Sequence, residues 1–237
     1  MFTIKICGIT RPEDARATAE AGADAIGLNF YPQSPRAIDH DRARAIIAEL
    51  PAEIIKVGLF VNATPVEIGR TYDALGLDLI QLHGDEPPEL LSALGGRPVM
   101  KAFRAAGSEG MRTVLDYLET CRSLGCLPRM ILFDSPRTRG FGGSGKLADW
   151  SLVKEFREKQ ATPILVLAGG LKAENVADAI QATGVRAVDT ASGVESQPGI
   201  KDPVALEAFV RVARTALKLQ TNSVQSIIKE SKIKEQT

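Results

Sequence analysis

Short apolar runs alternate with amphipathic segments along almost the whole chain. Several runs, such as Ile164–Leu167, are apolar at every position, which is typical of strands that are buried on both faces of a parallel sheet. The pattern predicts eight strands, at residues 3–7, 24–30, 54–61, 77–82, 98–103, 129–133, 163–167 and 185–189.

Helix start and stop signals stand between these runs. Residues 64–67, Thr-Pro-Val-Glu, predict a capping box with proline at the first helical position. Thr10 and Glu13 predict a second capping box, and Asp202 is the expected N-cap of the last helix. The predicted helices cover about residues 11–21, 39–50, 65–75, 88–94, 110–124, 150–159, 173–183 and 203–219.

Eight strand–helix units within 219 residues favour one α/β domain, a single (β/α)8 (TIM) barrel over residues 1–219. A doubly wound open sheet is the alternative arrangement of the same units. Residues 220–237 are polar and rich in lysine and glutamate, and they form either a frayed tail or a helical extension.

Composition and charge narrow the classes of function. Hydrophobic residues make up 44% and charged residues 24%, as in ordinary soluble proteins. Lysine plus arginine and aspartate plus glutamate both number 29, so we expect no nucleic acid and no membrane as partner. No signal peptide or transmembrane stretch is visible. Three irregularly spaced cysteines predict no disulfide framework and no metal site, which favours a cytoplasmic location.

The active site of such a barrel lies at the carboxyl ends of its strands. Residues with suitable chemistry at these ends are Cys7, Arg36, His83, Asp134, Gly169, Gly170, Asp189, Ser192 and Gly193. The pairs after strands seven and eight, Gly169-Gly170 and Ser192-Gly193, allow backbone N–H groups to approach an anion and so predict a phosphate site. The alternative is that these glycines only shape tight turns.

Cys7 and Asp134 are the candidates for proton transfer. Cys7 ends a strand just ahead of a helix, whose dipole would lower the thiol pKa and make a general base. It is otherwise a small buried hydrophobic residue. Asp134 follows an apolar run, so burial would raise its pKa and make a general acid, or else it caps a turn.

Three further polar residues each have two interpretations. Arg36 offers a fork for a carboxylate, or is a solvated surface arginine. His83 has no sequence partner for metal or triad chemistry, so we expect a hydrogen-bonded pocket or core histidine. Asp189 has the same position and the same two interpretations as Asp134. The glycine-rich residues 141–146 lack the spacing of a P-loop and are expected to form a mobile lid.

Six motifs in order along the chain resemble those of the phosphoribosylanthranilate isomerase family. They are residues 5–10 (KICGIT), 30–36 (FYPQSPR), 81–86 (QLHGDE), 134–150 (Asp134 through GGSG to Asp149-Trp150), 167–171 (LAGGL) and 192–195 (SGVE). The similarity spans residues 3 to about 210. Asn29 departs from the family pattern, in which an apolar residue is expected at this position.

The resemblance implies a cofactor-free Amadori rearrangement in tryptophan biosynthesis. Its substrate is a phosphorylated small molecule, N-(5′-phosphoribosyl)anthranilate, and its product is 1-(2-carboxyphenylamino)-1-deoxyribulose 5-phosphate. The family implies a monomer or a homodimer without a metal. The implied roles are general base for Cys7, general acid for Asp134, substrate binding for Arg36, Asp189 and His83, and phosphate binding for Gly169, Gly170, Ser192 and Gly193.

Three other functions compete with this interpretation. The histidine-pathway isomerase performs the same rearrangement, but it has an aspartate where this chain has Cys7. Indole-glycerol-phosphate synthase has lysines at several strand ends, whereas this chain has only Lys101, within strand five. A non-catalytic barrel that binds a phosphorylated ligand would not require Cys7, Asp134 and Arg36 together.

Overall fold

A computed structural model describes residues 1–104, 106–134, 150–159 and 163–234. Eight parallel strands in these ranges form a closed barrel in chain order, with β8 hydrogen-bonded to β1. This confirms the single (β/α)8 barrel and excludes the open sheet. The strands are β1 Ile4–Cys7, β2 Ala25–Asn29, β3 Ile55–Phe60, β4 Leu79–Leu82, β5 Val99–Phe103, β6 Met130–Phe133, β7 Ile164–Leu167 and β8 Ala187–Thr190.

Helices follow the strands and cover the outside of the barrel. They are α1 Pro12–Glu20, α2 His40–Ile47, α3 Pro65–Leu75, α4 Pro88–Ala93, α5 Gly107–Ser123, α6 Trp150–Lys159, α7 Val176–Thr183 and α8 Pro203–Lys234. Between β8 and α8 lie a short 3-10 helix, Ser192–Val194, and a small antiparallel hairpin of β9 Glu195–Gln197 and β10 Ile200–Lys201. No helix within the described ranges is both long and apolar enough to span a bilayer.

Alternate residues of each strand face the barrel interior and the surrounding helices. The outward residues, such as Ile4 and Ile6, join the helices in the larger hydrophobic core. Apolar inward residues, including Val57 and Met130, form a second core inside the barrel. The inward positions nearest the carboxyl ends carry polar groups instead, and these groups build the candidate site.

Two of the three predicted N-caps are confirmed. The hydroxyl of Thr64 accepts a hydrogen bond from the backbone N–H of Glu67, and the Glu67 carboxylate accepts one from the N–H of Thr64. Asp202 accepts hydrogen bonds from the N–H groups of Val204 and Ala205 at 2.9 and 3.1 Å. Each cap satisfies backbone donors that lack partners within the helix.

The predicted capping box at Thr10 is wrong. Helix α1 begins at Pro12 with Arg11 as its N-cap, and no side chain caps it. The Thr10 hydroxyl donates instead to the carbonyl of Gly199 in the β9–β10 hairpin. Arg11 bonds Asp14 in the first turn of the helix. The tertiary contact with the hairpin therefore takes the group that the local pattern assigned to the helix.

Helix α8 continues to Lys234, beyond the predicted end at Leu219. Its earlier turns pack on α1, α7 and β1, and Leu217 belongs to the larger core. The Arg214 guanidinium donates to the Asp24 carboxylate at the start of β2. The helical interpretation of residues 220–234 matches this course, while the boundary of the barrel at residue 219 stays a prediction.

Candidate active site

The carboxyl ends of the strands surround a cleft of about 790 Å³, which includes the part open to solvent. Eight of the nine candidate residues line it, namely Cys7, Arg36, His83, Asp134, Gly169, Gly170, Asp189 and Ser192. Gly193 is not part of the lining. The predicted lid, residues 141–146, lies outside the described residues.

Cys7 sits at the end of β1 with its side chain inside the barrel. Its strand neighbour is Gly27, where a Cβ atom would lie 2.7 Å from the Cys7 sulfur, so only glycine leaves room for the thiol. Lys5, two residues earlier, faces the same interior. Its ammonium donates to Asp189 Oδ1 at 2.8 Å, because Lys5 and Asp189 are register partners on β1 and β8.

Burial raises the pKa of the Cys7 thiol above its ordinary value, although the neighbouring charge of Lys5 acts in the opposite direction. The expected lowering of this pKa is therefore wrong, since desolvation of the buried thiolate is the largest effect on it. Burial by itself would lower the pKa of Lys5, but Asp189 and Cys7 outweigh burial and raise it. A permanent ammonium group thus stands beside the thiol.

Asp134 follows β6 and contacts His83, which follows β4. His83 Nε2 and Asp134 Oδ2 are 3.2 Å apart, and His83 Nδ1 lies 3.2 Å from Gln81 Nε2. Arg104 donates to the His83 carbonyl at 2.8 Å. Burial lowers the pKa of His83 below its ordinary value, although the Asp134 carboxylate favours the charged ring. His83 is thus a hydrogen-bonded pocket histidine, as expected.

Arg36 reaches the cleft from the loop after β2. Gly8 makes this approach possible, because it has φ +73° and a Cβ there would lie 2.4 Å from Arg36 Cδ. Two guanidinium nitrogens of Arg36 donate to Glu195 at 2.8 and 2.6 Å. Lys201 donates to Glu195 at 2.8 Å and to the Cys7 carbonyl at 2.7 Å. Arg36 is therefore held in place by a buried ionic network, and it is not a solvated arginine.

The charge of Glu195 is secured by its two cationic neighbours. Burial opposes ionisation of Glu195, but the hydrogen bond from Arg36 and the charge of Lys201 outweigh it and hold the Glu195 pKa below its ordinary value. Sequence reasoning named neither Glu195 nor Lys201 as a site residue. The hairpin that brings Lys201 back to Glu195 has no strong local signal, so only the folded chain reveals the network.

The two glycine loops flank the cleft after β7 and β8. Gly169 and Gly170 have φ +87° and +66°, a backbone conformation that favours glycine. Ser192 begins the 3-10 helix, and Gly193 lies behind it, where a Cβ would be 1.9 Å from the Leu171 carbonyl oxygen. This close approach ties the two loops together and leaves their backbone facing the cleft.

Asn175 explains why α7 begins at Val176, three residues later than predicted. Its side chain accepts from the N–H of Lys172 at 2.9 Å and donates to the Gly170 carbonyl at 3.0 Å. These bonds stabilise a turn that competes with the helix.

Asn29, the unexpected polar residue at the end of β2, also lines the cleft. Its side chain donates to the Ser34 hydroxyl at 3.0 Å and accepts from the Tyr31 N–H at 2.9 Å. It therefore shapes the loop that carries Arg36. No group of three or more histidine, cysteine, aspartate or glutamate residues that could hold a metal ion occurs in the described ranges.

Comparison with known proteins gives a consistent result. A family model described as N-(5′-phosphoribosyl)anthranilate (PRA) isomerase matches residues 4–212. An N-(5′-phosphoribosyl)anthranilate isomerase from Myxococcus xanthus is 47% identical over 212 residues, which are 90% of this chain and 96% of the relative.

Solved structures agree with the sequence comparison. The crystal structure of phosphoribosyl anthranilate isomerase from Thermotoga maritima has a TM-score of 0.80 and 42% identity, covering 91% of this chain and 100% of that chain. Another, in complex with reduced 1-(o-carboxyphenylamino)-1-deoxyribulose 5-phosphate, has a TM-score of 0.77 and 39% identity, with the same coverage. The match to the family model, residues 4–212, includes every strand of the barrel.

Proposed function

This chain belongs to the N-(5′-phosphoribosyl)anthranilate isomerase family, and we propose that Cys7 and Asp134 are the general base and general acid of its reaction. It is an isomerase of tryptophan biosynthesis, an intramolecular oxidoreductase that interconverts an aldose and a ketose. The observation that supports the two roles is that a thiol and a carboxyl group from separate strands line one cleft, which also contains two places suited to anions.

Asp134 acts first in the proposed mechanism. It protonates the ring oxygen of the ribose, the bond between C1′ and that oxygen breaks, and the nitrogen lone pair forms a protonated Schiff base at C1′. The ring oxygen leaves as a hydroxyl group, and Asp134 becomes a carboxylate. Its position after β6, partly enclosed by the cleft, suits a group that must hold a proton until the substrate arrives.

Cys7 acts second. Its thiolate removes the C2′ proton, and the electron pair of that C–H bond neutralises the Schiff base to give an enolamine, which tautomerises to the ketone. Since burial raises the Cys7 pKa, the thiolate requires positive charge nearby. The ammonium group of Lys5, whose own pKa is raised, supplies this charge. The protonated Schiff base supplies a second positive charge at the moment of proton removal.

The two anionic ends of the substrate have separate partners. Arg36 binds the anthranilate carboxylate, and Glu195 and Lys201 keep its guanidinium at the rim of the cleft. The backbone at Gly169, Gly170, Ser192 and Gly193 binds the phosphate, which suits loops after strands seven and eight. All of these residues except Gly193 line the cleft. Asp189 orients the sugar from β8, and His83 faces the sugar beside Asp134.

The decay of phosphoribosylanthranilate fluorescence, with substrate generated in situ, tests the proposal. We expect wild type to turn over and Cys7→Ser and Asp134→Asn to lose at least about 10²-fold in kcat. Matched controls are Cys126→Ser and Asp116→Asn, which make the same changes away from the cleft. Absence of turnover in wild type would refute the activity, while unimpaired Cys7 and Asp134 variants would overturn the assigned base and acid.

We further propose a cytoplasmic enzyme that acts as a monomer or homodimer without a nucleic-acid partner. A cysteine pattern without a disulfide framework and equal numbers of acidic and basic residues support this proposal. Eight of the nine candidate residues line one cleft within a single chain. Cell fractionation and light scattering test location and assembly, and a larger assembly would contradict the proposal.

A further inference from the structure

Three side chains form a hydrogen-bonded row inside the barrel, from Gln81 through His83 to Asp134. Gln81 Nε2 lies 3.2 Å from His83 Nδ1, and His83 Nε2 lies 3.2 Å from Asp134 Oδ2. We propose that Gln81 is a positioning residue that fixes the tautomer of His83, so that His83 donates its Nε2–H to Asp134. This inference rests on the role of Asp134 as general acid proposed above.

Burial favours the neutral form of the histidine ring in this row. Burial lowers the pKa of His83, and Arg104 acts in the same direction, whereas Asp134 and Asp189 act in the other. A neutral imidazole has one N–H donor and one acceptor nitrogen. The group that faces Nδ1 therefore decides what Nε2 can offer to Asp134.

Gln81 faces Nδ1 and is fully buried. When the amide nitrogen of Gln81 faces the ring, the amide oxygen of Gln81 has no hydrogen-bond partner among the described residues. In the reversed amide, both N–H donors of the nitrogen would occupy the position of this oxygen without a partner. Two unpaired donors cost more free energy than one unpaired acceptor. Gln81 thus donates to Nδ1, and the single ring proton lies on Nε2.

This arrangement determines where Asp134 carries its proton. The Nε2–H of His83 occupies Oδ2, so a protonated Asp134 presents its O–H on Oδ1. When Asp134 has given up this proton, the same Nε2–H stabilises the carboxylate. The Arg104 bond to the His83 carbonyl holds the backbone from which the ring extends. Gln81 therefore acts on the acid through His83.

Nitrogen-15 NMR of the imidazole groups reads the tautomer directly in the resting enzyme. The chain has two histidines, and a His40→Gln variant assigns the His83 signals. We expect His83 to be neutral with its proton on Nε2 in wild type. In Gln81→Glu a carboxylate acceptor faces Nδ1, so we expect the proton to move to Nδ1 or the ring to become doubly protonated.

Kinetics test the consequence for the acid. We expect Gln81→Glu and Gln81→Met to lower kcat roughly tenfold to hundredfold with little change in KM, because the acid is misaligned while substrate contacts remain. The pH profile of kcat should shift in Gln81→Glu. The matched control is Gln181→Glu, the same substitution on the exposed face of α7. Circular dichroism establishes that each variant is folded.

The NMR spectra of His83 decide whether Gln81 fixes the tautomer of this ring. A wild-type ring protonated on Nδ1, or a His83 tautomer unchanged in Gln81→Glu, would overturn it. If Gln81→Met does not fold, the wild-type and Gln81→Glu spectra still decide. The tautomer is read without substrate, so an unimpaired Asp134→Asn would refute the acid while leaving the Gln81–His83 relation measurable.

Discussion

Lys5 and Gln81 each stand two positions before a candidate site residue. Alternate residues of a strand face the same way, so Lys5 shares the interior with Cys7, and Gln81 shares it with His83. Polar residues at inward positions of a barrel are unusual, since burial of an unpaired polar group is unfavourable. The i, i+2 pattern was therefore a signal in the sequence that could have identified both residues.

Loss of the Lys5 charge should weaken Cys7 as a base. In Lys5→Met we expect the pKa of the Cys7 thiol to rise, because the cation that favours the thiolate is gone. A rise of one unit would reduce the thiolate population at neutral pH about tenfold. The pH dependence of Cys7 alkylation, followed by mass spectrometry, measures this directly.

Lys101→Met is the matched control for Lys5→Met. Lys101 is likewise a buried strand lysine, and it donates to Glu86 at 2.8 Å, but it does not line the cleft. Both variants break a buried ion pair, which costs about 3–5 kcal/mol, so their losses of stability should be similar. A Cys7 profile that is the same in Lys5→Met and wild type would contradict the assigned role.

At two places in the barrel, an aspartate just before one strand accepts hydrogen bonds from backbone N–H groups near the start of the preceding strand. Asp24 accepts from the N–H groups of Thr3 and Ile4 at 2.8 Å each. Asp78, before β4, accepts in the same way from the N–H of Lys56 at 2.8 Å. Both aspartates follow a glycine with positive φ at the end of a helix. In this Gly-x-Asp pattern the glycine follows the end of a helix, and the aspartate binds backbone N–H groups near the start of the neighbouring strand.

Asp24 should make stability depend on pH. Burial opposes its ionisation, but hydrogen bonds from Arg214 and Thr3 outweigh burial and lower its pKa. The folded pKa lies below the unfolded one, so the stabilisation is present above the ordinary value of 3.8 and disappears as pH falls through the folded value. Asp24→Asn should reduce the free energy of unfolding at pH 7 by about 1.5–3 kcal/mol.

Urea unfolding at pH 7 and at pH 3 distinguishes the contribution of the Asp24 charge to the free energy of unfolding from that of the altered side chain. The difference between Asp24→Asn and wild type should narrow at the lower pH, because below 3.8 the unfolded chain binds a proton at Asp24 and the folded carboxylate then contributes less to stability. Asp78→Asn is the control, and its smaller loss follows from fewer backbone partners and greater exposure. A difference that stays constant with pH would show that the Asp24 charge is not the cause.

Gly193 tests the link between the two phosphate loops. A Cβ at this position would meet the Leu171 carbonyl, so Gly193→Ala must displace the 3-10 helix. We expect KM to rise roughly tenfold or more, since the backbone donors move away from the phosphate. Gly69→Ala in α3 is the control, because its nearest neighbour lies 3.8 Å away. It should leave KM unchanged and stabilise the protein by about 0.5–1 kcal/mol.

The barrel is closed by the pairing of β8, which ends at Thr190, with β1. We propose that residues 1–219 form the complete catalytic unit, because the family match ends at residue 212 and Leu217 still packs in the core. A chain that stops after Leu219 should keep kcat, KM and the urea midpoint close to wild type. Steady-state kinetics and urea unfolding measure this, and loss of either property would show that residues 220–237 belong to the unit.

Local patterns in the sequence were enough to predict the barrel and the candidate residues at its strand ends. Apolar runs and turn signals are local, so, apart from the end of α8, strands and helices could be placed to within a few residues. Their number and order favoured a closed parallel barrel over an open sheet, and the barrel in turn located chemistry at the strand ends. The six motifs then indicated the family. The Thr10 cap failed because a distant carbonyl in the β9–β10 hairpin takes its hydroxyl.

The pairing and ionisation of the site residues depend on contacts that form only in the folded chain. Lys5 pairs with Asp189, which is 184 positions away in the sequence, and Arg36 pairs with Glu195, which is 159 positions away. Such pairs depend on strand register and on loop paths, which local patterns do not encode. Burial is also a property of the whole fold. It raised the Cys7 pKa where the local helix signal predicted a lower value, because desolvation depends on every neighbour of the thiol.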